Sequence, residues 1–381
     1  MRKIFFQFSL AIVILGMLNQ VWAEGLFNLV NPAEQAVLSE HYVGITASSL
    51  DANNFTSVKH FSERWRAPYT PREGDNLAIS FARADVTYAY KHWTVSIFHR
   101  QEIFIASSKG LTDMYYNNWN RIQPAVGSTY DISLEADGFA AQGVGLGRKF
   151  AWELGDSVRM AVGIGASVLK GKRTRMGRAN GGAYSVLNGY NYSVNLYDAD
   201  SSKTFLYMPQ GETIGQGYAI DCGLTLKWQD GKQLDVVIND VMGEIVWRDL
   251  PASRIWVSSA TASRDADGYT IFDPTLMGVN SRGKIIQKLN PKVRIQYGAP
   301  ITANVTATIS SEWMRGYFFP RLGMSYRSSP LLGLTLDFDS RFKSIGFGTR
   351  WRDIYLNART QSLNFDQSRA RGVELGWRFV F

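Results

Sequence analysis

The chain of 381 residues has a single cysteine, Cys222, and only four histidines. One cysteine excludes a disulfide within the chain and a metal site built from cysteines. The histidines His41, His60, His92 and His99 form no recognisable catalytic set with a serine or an aspartate, so we expect neither an enzyme nor a metal or other cofactor. A proline- and serine-rich linker is also missing, which favours one continuous domain.

Long hydrophobic runs are missing as well, apart from one at the N-terminus. Arg2 and Lys3 precede an apolar stretch of about 15 residues, and the small residue Ala23 follows shortly after it. This stretch is short for a membrane-spanning helix and is typical of a cleaved secretory signal. We therefore predict a signal peptide at 1–23, a short N-terminal leader or plug at 24–37, and a barrel domain at 38–381.

The sequence does contain a repeated alternation of apolar and polar residues. In the last strand, one face carries Val373, Leu375, Trp377, Phe379 and Phe381. Similar stretches of about ten residues, the length that a tilted strand needs to cross a membrane, recur along the chain. The mean hydropathy of −0.16 agrees, because apolar residues at every second position average out. The sequence predicts an all-β fold, a transmembrane antiparallel β-barrel of about 14 strands, within a range of roughly 12 to 16.

The connections between these stretches alternate between short and long. Tight turns containing Gly, Pro or Asp are predicted at Lys91-His92, Asp230-Gly231-Lys232, Gly298-Ala299-Pro300 and Arg352-Asp353. Longer links lie between them, such as 171–216 and 249–284. Bacterial barrels have short periplasmic turns and long extracellular loops. We therefore expect both termini in the periplasm and the long links outside the cell.

Charged residues on the opposite face of the strands would line the lumen. The predicted lumen-lining residues are Arg100, Glu102, Arg294, Asp337, Asp339, Arg350, Arg359 and Arg378. Both signs of charge occur, which is typical of a bracing network of cross-strand ion pairs or of a selectivity filter. Because the cations are dispersed among many strands, nucleic acid is not expected as a partner.

The densest cluster of positive charge lies where a predicted strand leaves the outer leaflet. Its members are Lys170, Lys172, Arg173, Arg175 and Arg178. Cations at this height could bind the phosphates of lipopolysaccharide, or they could form the solvated base of a loop. Outer-membrane lipids and lipopolysaccharide are therefore expected partners.

The C-terminal residues resemble the assembly signal of bacterial outer-membrane proteins. The signal is a polar residue, a glycine two positions on, and two hydrophobic residues that end in a terminal Phe. The matching residues are Glu374, Gly376, Phe379 and Phe381. This resemblance implies the outer membrane of a Gram-negative bacterium as the location and the barrel-assembly machinery as a partner.

The segment after the predicted signal peptide resembles a particular family. Asn31-Pro32-Ala33, close before the first strand, is similar to the entry of the long-chain fatty-acid transporter superfamily. Members of that family are 14-stranded barrels whose N-terminal segment plugs the lumen and which pass hydrophobic compounds. The resemblance implies that Leu26, Phe27, Leu29 and Val30 form the apolar face of such a plug. The other interpretation is a flexible leader between the cleavage site and the barrel.

These observations favour a passive channel or uptake protein for small molecules, whose permeant the sequence does not specify. The alternative is a surface structural or adhesive barrel with a sealed lumen, for which a tyrosine-rich link is the support. An outer-membrane lipid-modifying enzyme is a third class.

Overall fold

The computed structural model describes residues 26–27, 29–33, 41–61, 65, 69–155, 157–187, 189–208, 211–264, 270–272, 275–329 and 331–381. The predicted signal peptide at 1–23 lies outside these residues. In chain order the elements are β1 (His41–Asn53), α1 (Val58–Phe61), β2 (Asn76–Tyr90), β3 (Trp93–Ser107), α2 (Lys109–Asn120), β4 (Thr129–Leu154), β5 (Val158–Val186), β6 (Gly189–Asp200), β7 (Ile214–Trp228), β8 (Gln233–Ser258), β9 (Ala262–Arg264), β10 (Thr270–Phe272), β11 (Leu276–Lys288), β12 (Lys292–Pro300), β13 (Val305–Met314), β14 (Tyr317–Ser329), β15 (Leu332–Asp339), β16 (Ser344–Trp351), β17 (Ile354–Thr360) and β18 (Ala370–Val380). Among the residues described, no helix is long and apolar enough to cross a membrane.

Fourteen of the strands close into an antiparallel barrel. The wall runs β1-β2-β3-β4-β5-β7-β8-β12-β13-β14-β15-β16-β17-β18, and β18 pairs with β1 to complete the ring. At this seam Tyr42 lies opposite Val380 and Ala52 lies opposite Ala370. A closed ring satisfies every backbone group of the wall without an open edge, which a strand-built membrane protein requires. The predicted fold and strand number are confirmed.

One end of the barrel carries the short connections, and we call it the turn end; the opposite end is the loop end. The strands are joined at the turn end by 91–92, 155–157, 229–232, 301–304, 330–331 and 352–353. The turn predicted at Gly298-Ala299-Pro300 is wrong in position, since these residues pair with β13. The chain turns at 301–304 instead, because Thr302 Oγ1 accepts hydrogen bonds from the N–H groups of Asn304 and Val305.

The barrel exposes apolar side chains and buries polar ones, which is the reverse of a soluble protein. On β15, Leu336 and Phe338 are 55% and 44% exposed, whereas Thr335 and Asp337 are 4% and 9% exposed. An outer face of this kind needs an apolar surrounding, and the membrane supplies it. Exposed aromatic side chains gather near the turn end, a position typical of the membrane interface. They are Tyr90, Trp93, Trp152, Tyr297, Tyr326 and Trp351.

The wall is much taller on one side than on the other. Strands β4, β5 and β8 have 26, 29 and 26 residues, whereas β15, β16 and β17 have 8, 8 and 7. Strand β6 fits between the far halves of β5 and β8, and β11 pairs with the other edge of β8. The long loops predicted at 171–216 and 249–284 are therefore wrong over most of their length. These strands lack the regular apolar alternation, because outward positions such as Arg173 and Arg175 are polar.

The two helices lie in the links at the loop end. Helix α2 begins after Ser108, whose Oγ accepts a hydrogen bond from the N–H of Leu111 at 3.3 Å. Beside it, Tyr69 stacks on Tyr116 with ring centroids 4.0 Å apart and donates to Asp113 Oδ1 at 2.6 Å. Burial, reinforced by this hydrogen bond, raises the pKa of Tyr69 well above its usual value. The Tyr69 hydroxyl therefore stays protonated and holds the first link against α2.

Candidate functional site

A bulge in β8 turns two neighbouring side chains into the lumen. Asn239 and Asp240 are 4% and 0% exposed, and Asp240 has a φ of 55°, which few residues other than glycine adopt. The register with β7 shifts between Ile220 and Cys222, and the N–H of Asp240 donates to Asp221 Oδ1 at 2.9 Å. Three residues of β8, 239–241, here oppose the single residue Asp221 of β7, and extra residues in one strand re-aim side chains in this way. Both bulge residues consequently contact other parts of the lumen.

Asp240 is the centre of a buried ion-pair network. It accepts hydrogen bonds from Arg100 Nη1 at 2.9 Å and from Lys292 Nζ at 2.6 Å. Lys292 also donates to Glu102 Oε2 at 2.9 Å. Two cations thus meet two carboxylates from β3, β8 and β12. Buried charges need partners of opposite sign. Because each cation here has such a partner on another strand, the arrangement is typical of a network that braces the wall.

A second network lies on the low side of the wall. Asp337 pairs with Arg359 and lies 3.7 Å from Arg321 Nη1. All the predicted lumen residues lie at inward positions of their strands; they are Arg100, Glu102, Arg294, Asp337, Asp339, Arg350, Arg359 and Arg378. Two of them lie near the turn end, where Arg350 donates to Arg352 O and the Arg378 guanidinium covers the Tyr42 ring.

Sequence reasoning missed Asp240 and Lys292. A bulge breaks the strict alternation from which inward positions were counted, so Asp240 was not assigned to the lumen. Lys292 has the same parity as Arg294, and extending that strand by one residue would have found it.

Residues 26–27 and 29–33, which we call the plug, lie inside the lumen. The N–H groups of Leu26 and Phe27 donate to the Glu312 carboxylate at 2.8 and 3.2 Å. Val30 exchanges two hydrogen bonds of 2.9 Å with the Asn239 side chain. Wall side chains, and not strand pairing, hold the plug.

The Asn31-Pro32-Ala33 motif is the part of the plug that lies closest to the wall. Asn31 Nδ2 donates to Thr225 Oγ1 at 3.3 Å, and its Oδ1 accepts from the N–H of Ala33 at 3.0 Å. A Cβ atom at Gly163 would collide with the backbone of Pro32 and Ala33, so only glycine permits this approach. The motif therefore forms a side-chain-capped turn pressed against β5 and β7.

The apolar side chains of the plug pack on an apolar patch of the lumen that sequence reasoning missed. Leu26, Phe27 and Leu29 are each 5% exposed, and the Phe27 ring lies 4.9 Å from that of Phe81 and 5.0 Å from that of Phe319. The wall residues of this apolar patch include Leu50, Leu77, Ile79, Phe81, Phe104, Phe319 and Phe342. Parity would have revealed Phe104, which shares a face with Arg100 and Glu102.

The space left beside the plug is small. A cavity of about 70 Å³ lies between the plug and wall residues such as Lys292, Thr335, Asp337 and Glu374. One water needs about 10 to 15 Å³ of such volume, so the cavity has room for only a few waters. Within the described part of the chain, the plug therefore leaves little free space at this point of the lumen.

A further bridge crosses the lumen at the loop end. Arg315, between β13 and β14, donates to Glu135 and Asp137 of β4 at 2.6 Å each. Arg178 also pairs with Glu135, at 3.1 Å. Closure at this end therefore relies on charged side chains as well as on the plug.

The cations predicted to meet lipopolysaccharide fall into two groups. Arg178 pairs with Glu135, and Arg175 lies 3.5 Å from Asp198 and 3.7 Å from Asp200. Lys170, Lys172 and Arg173 are exposed, and no carboxylate of the described residues lies within ion-pair distance of them.

The C-terminal residues divide between the two faces of β18. Glu374 faces inward and accepts from Asn357 Nδ2 at 3.1 Å, while Gly376 leaves room for the Tyr355 ring. Phe379 and Phe381 are exposed on the outer face at the turn end.

Histidines and carboxylates are scattered. His92 lies in a turn and His99 on the outer face, and the described residues contain no group of three or more His, Cys, Asp or Glu that could hold a metal ion. The expectation that the chain is not an enzyme stays a prediction.

Comparisons with known proteins find similarity in structure and none in sequence. No protein-family model matches the sequence, and no curated protein matches it. The toluene transporter TodX of P. putida is similar in structure at 11% identity and a TM-score of 0.43, covering 93% of each chain. A Pseudomonas aeruginosa FadL homologue is similar at 9% identity and a TM-score of 0.40, covering 91% of each chain. The Escherichia coli outer membrane protease OmpT is similar at 9% identity and a TM-score of 0.25, covering 90% of this chain and 97% of its own.

These are likenesses between barrels, and they assign no activity to this chain. The resemblance seen in Asn31-Pro32-Ala33 agrees with the structure in two respects. The barrel has fourteen strands, and an N-terminal segment lies in its lumen.

Proposed function

We propose that the chain is an outer-membrane uptake channel for small, largely apolar molecules, with the plug as its gate. The observation that carries this proposal is the way the lumen is closed. The wall itself leaves a lumen, and a separate segment fills it through a few hydrogen bonds to Glu312, Asn239 and Thr225. A barrel built only as a scaffold has no need of a removable filling.

The apolar patch supports the choice of permeant. Displacing Leu26 and Phe27 uncovers Phe81, Phe104 and Phe319 near the loop end, where a molecule arriving from outside would enter. The surface that holds the plug's side chains can hold an apolar molecule of similar size by the same burial. Deeper in the lumen the permeant would pass the charged side chains of the ion-pair network. A permeant with some polar groups would bind there better than a purely apolar one.

A surface scaffold with a sealed lumen is the second candidate. The bridge from Arg315 to Glu135 and Asp137 favours it, because this contact across the loop end involves no residue of the plug. The two candidates differ in whether the plug must move for the protein to work.

A disulfide between plug and wall tests the proposal. A Cβ atom built on Gly165 lies 3.7 Å from Pro32 Cγ, so side chains at the two positions are in contact and cysteines placed there are close enough for a cross-linking test. We expect Pro32→Cys with Gly165→Cys, in a Cys222→Ser background, to abolish uptake of a small aromatic fluorophore by intact cells when oxidised. Reduction should restore uptake to the level of the Pro32→Cys single variant, which is the matched control. Equal uptake in the oxidised and reduced states would favour the sealed scaffold.

A further inference from the structure

The outer face of the barrel changes character along one line that crosses four neighbouring strands. The polar row, in register from β3 through β4 and β5 to β7, is His99, Gln142, Lys170 and Gln216. The apolar row, two positions nearer the turn end on the same strands, is Ile97, Val144, Val168 and Tyr218. Two residues of a strand span about 7 Å. On β5 the apolar surface therefore gives way to Lys170, Lys172 and Arg173 within one side-chain row, whereas on β7 the exposed Ile214 lies beyond Gln216.

A groove of about 1100 Å³ runs across the outer face at this line. It extends from Ile45 and Ala47 on β1 to Ile214 and Gln216 on β7, and so crosses six consecutive strands of the wall. With strands about 4.8 Å apart, its width is about 24 Å. A molecule that fills it must be wide, apolar towards the turn end and polar towards the loop end.

A bulge concentrates positive charge directly above the groove. The register of β4 and β5 shifts between Ala140 and Ala141, opposite Lys172. Strict alternation would send Arg173 inward, but the bulge turns Arg173 outward and buries Thr174, whose Oγ1 donates to Gly138 O. Lys170, Lys172 and Arg173 are consequently all exposed on the outer face, with no carboxylate of the described residues in ion-pair reach.

We infer that this surface binds a phosphorylated glycolipid with several acyl chains, of the lipopolysaccharide type. Its phosphates would contact Lys170, Lys172 and Arg173 through charge-assisted hydrogen bonds, and its acyl chains would cover the apolar row. Free phosphate would make no use of the apolar row. A phospholipid with two chains would cover only part of a groove six strands wide. This role is independent of what passes through the lumen.

Lipid binding by the purified, detergent-solubilised protein tests the inference by native mass spectrometry. The probes are lipid A with both phosphates, the same lipid without phosphates, phosphatidylglycerol and inorganic phosphate. The combined variant Lys170→Ala, Lys172→Ala and Arg173→Ala should bind lipid A about a hundredfold more weakly than the unmodified protein. The reason is that each Lys or Arg near an anionic lipid surface strengthens binding severalfold. The matched control removes three cations near the turn end, with Lys91→Ala, Arg148→Ala and Lys149→Ala, and should bind lipid A unchanged.

The lipid series on the unmodified protein keeps the test decisive if the combined variant does not fold. Lipid A should bind at least tenfold more tightly than its phosphate-free form and than phosphatidylglycerol, and millimolar inorganic phosphate should not displace it. Equal binding by the phosphate-free form would overturn the role of the cations. Equal binding of phosphatidylglycerol, or displacement by phosphate, would overturn the choice of glycolipid, as would unchanged binding by the folded combined variant.

Discussion

Asp240 is the residue on which the lumen network depends most. It is fully buried, and both Arg100 and Lys292 donate to its carboxylate. Without it, Glu102 would be the one carboxylate of the described residues left within ion-pair distance of the two buried cations, and an uncompensated buried charge is costly. The left-handed backbone at Asp240 is tolerated by Asn as well as by Asp. Replacement by Asn therefore removes the charge without a new backbone strain.

We expect Asp240→Asn to lower the free energy of unfolding by about 3 to 5 kcal/mol, the usual cost of breaking a buried ion pair. Urea titration in lipid vesicles, followed by tryptophan fluorescence, measures this. The control is Asp230→Asn, which removes an exposed carboxylate that pairs with Lys232 at 2.6 Å in a turn and should leave stability unchanged. Equal stability of the two variants would show that the network does not brace the wall.

Residues that face the lumen could be predicted from the sequence wherever a strand alternates regularly between outward and inward side chains. Arg100 and Glu102 were found in this way, because β3 has no bulge between them. Asp240 was not, because a bulge is a tertiary feature that period-two counting does not register. The partners of the plug were also out of reach, since Leu26 and Glu312 are 286 positions apart in the chain.

Strand β18 closes the barrel against β1, and its two faces have different tasks. Glu374 and Gly376 fit the crowded lumen, while Phe379 and Phe381 face outward at the turn end. The N–H of Phe381 donates to His41 O at 3.3 Å, which adds the terminal residue to the seam. The last residue thus contributes to the closing pair of strands as well as to the outer face.

Deletion of Phe381 should reduce the amount of folded barrel in the outer membrane severalfold, because it removes the terminal ring of the resembled assembly signal. Heat-modifiable mobility on a gel measures the folded fraction in isolated membranes. Deletion of Leu363, an exposed residue of the link before β18, serves as the control and should assemble normally. Normal levels of the Phe381 deletion would refute the assignment of the C-terminal signal.

Membrane-facing strands were predictable because lipid imposes apolar residues at every second outward position. The far halves of β5 and β8, with β6 and β11, were not, because polar residues such as Arg173 and Arg175 interrupt the apolar alternation on the outward face of β5. Met176 is buried on the lumen side of that sheet, whereas Ala179 and Val194 are buried on its other side, against Leu111 and Met114 of α2. These apolar residues can be seen in the sequence, but single apolar residues scattered among polar ones are equally typical of loops.

At the scale of the whole molecule, three sets of contacts lie in the lumen. The plug fills its middle, the Asp240 network crosses beside the plug, and Arg315 bridges the loop end. Only the plug is a separate segment, and its removal would leave the wall strands paired as they are. The central claim is that this segment, and not the wall, decides whether the barrel is open.

Single-channel recording in planar bilayers tests this claim most directly, by comparing the full protein with a variant lacking residues 24–33. Both must first show the heat-modifiable mobility of a folded barrel. The account predicts that the full protein gives rare current steps and that the deletion gives steady ones, because ions can then pass the charged lumen. A folded deletion variant that passes no more current than the full protein would contradict it.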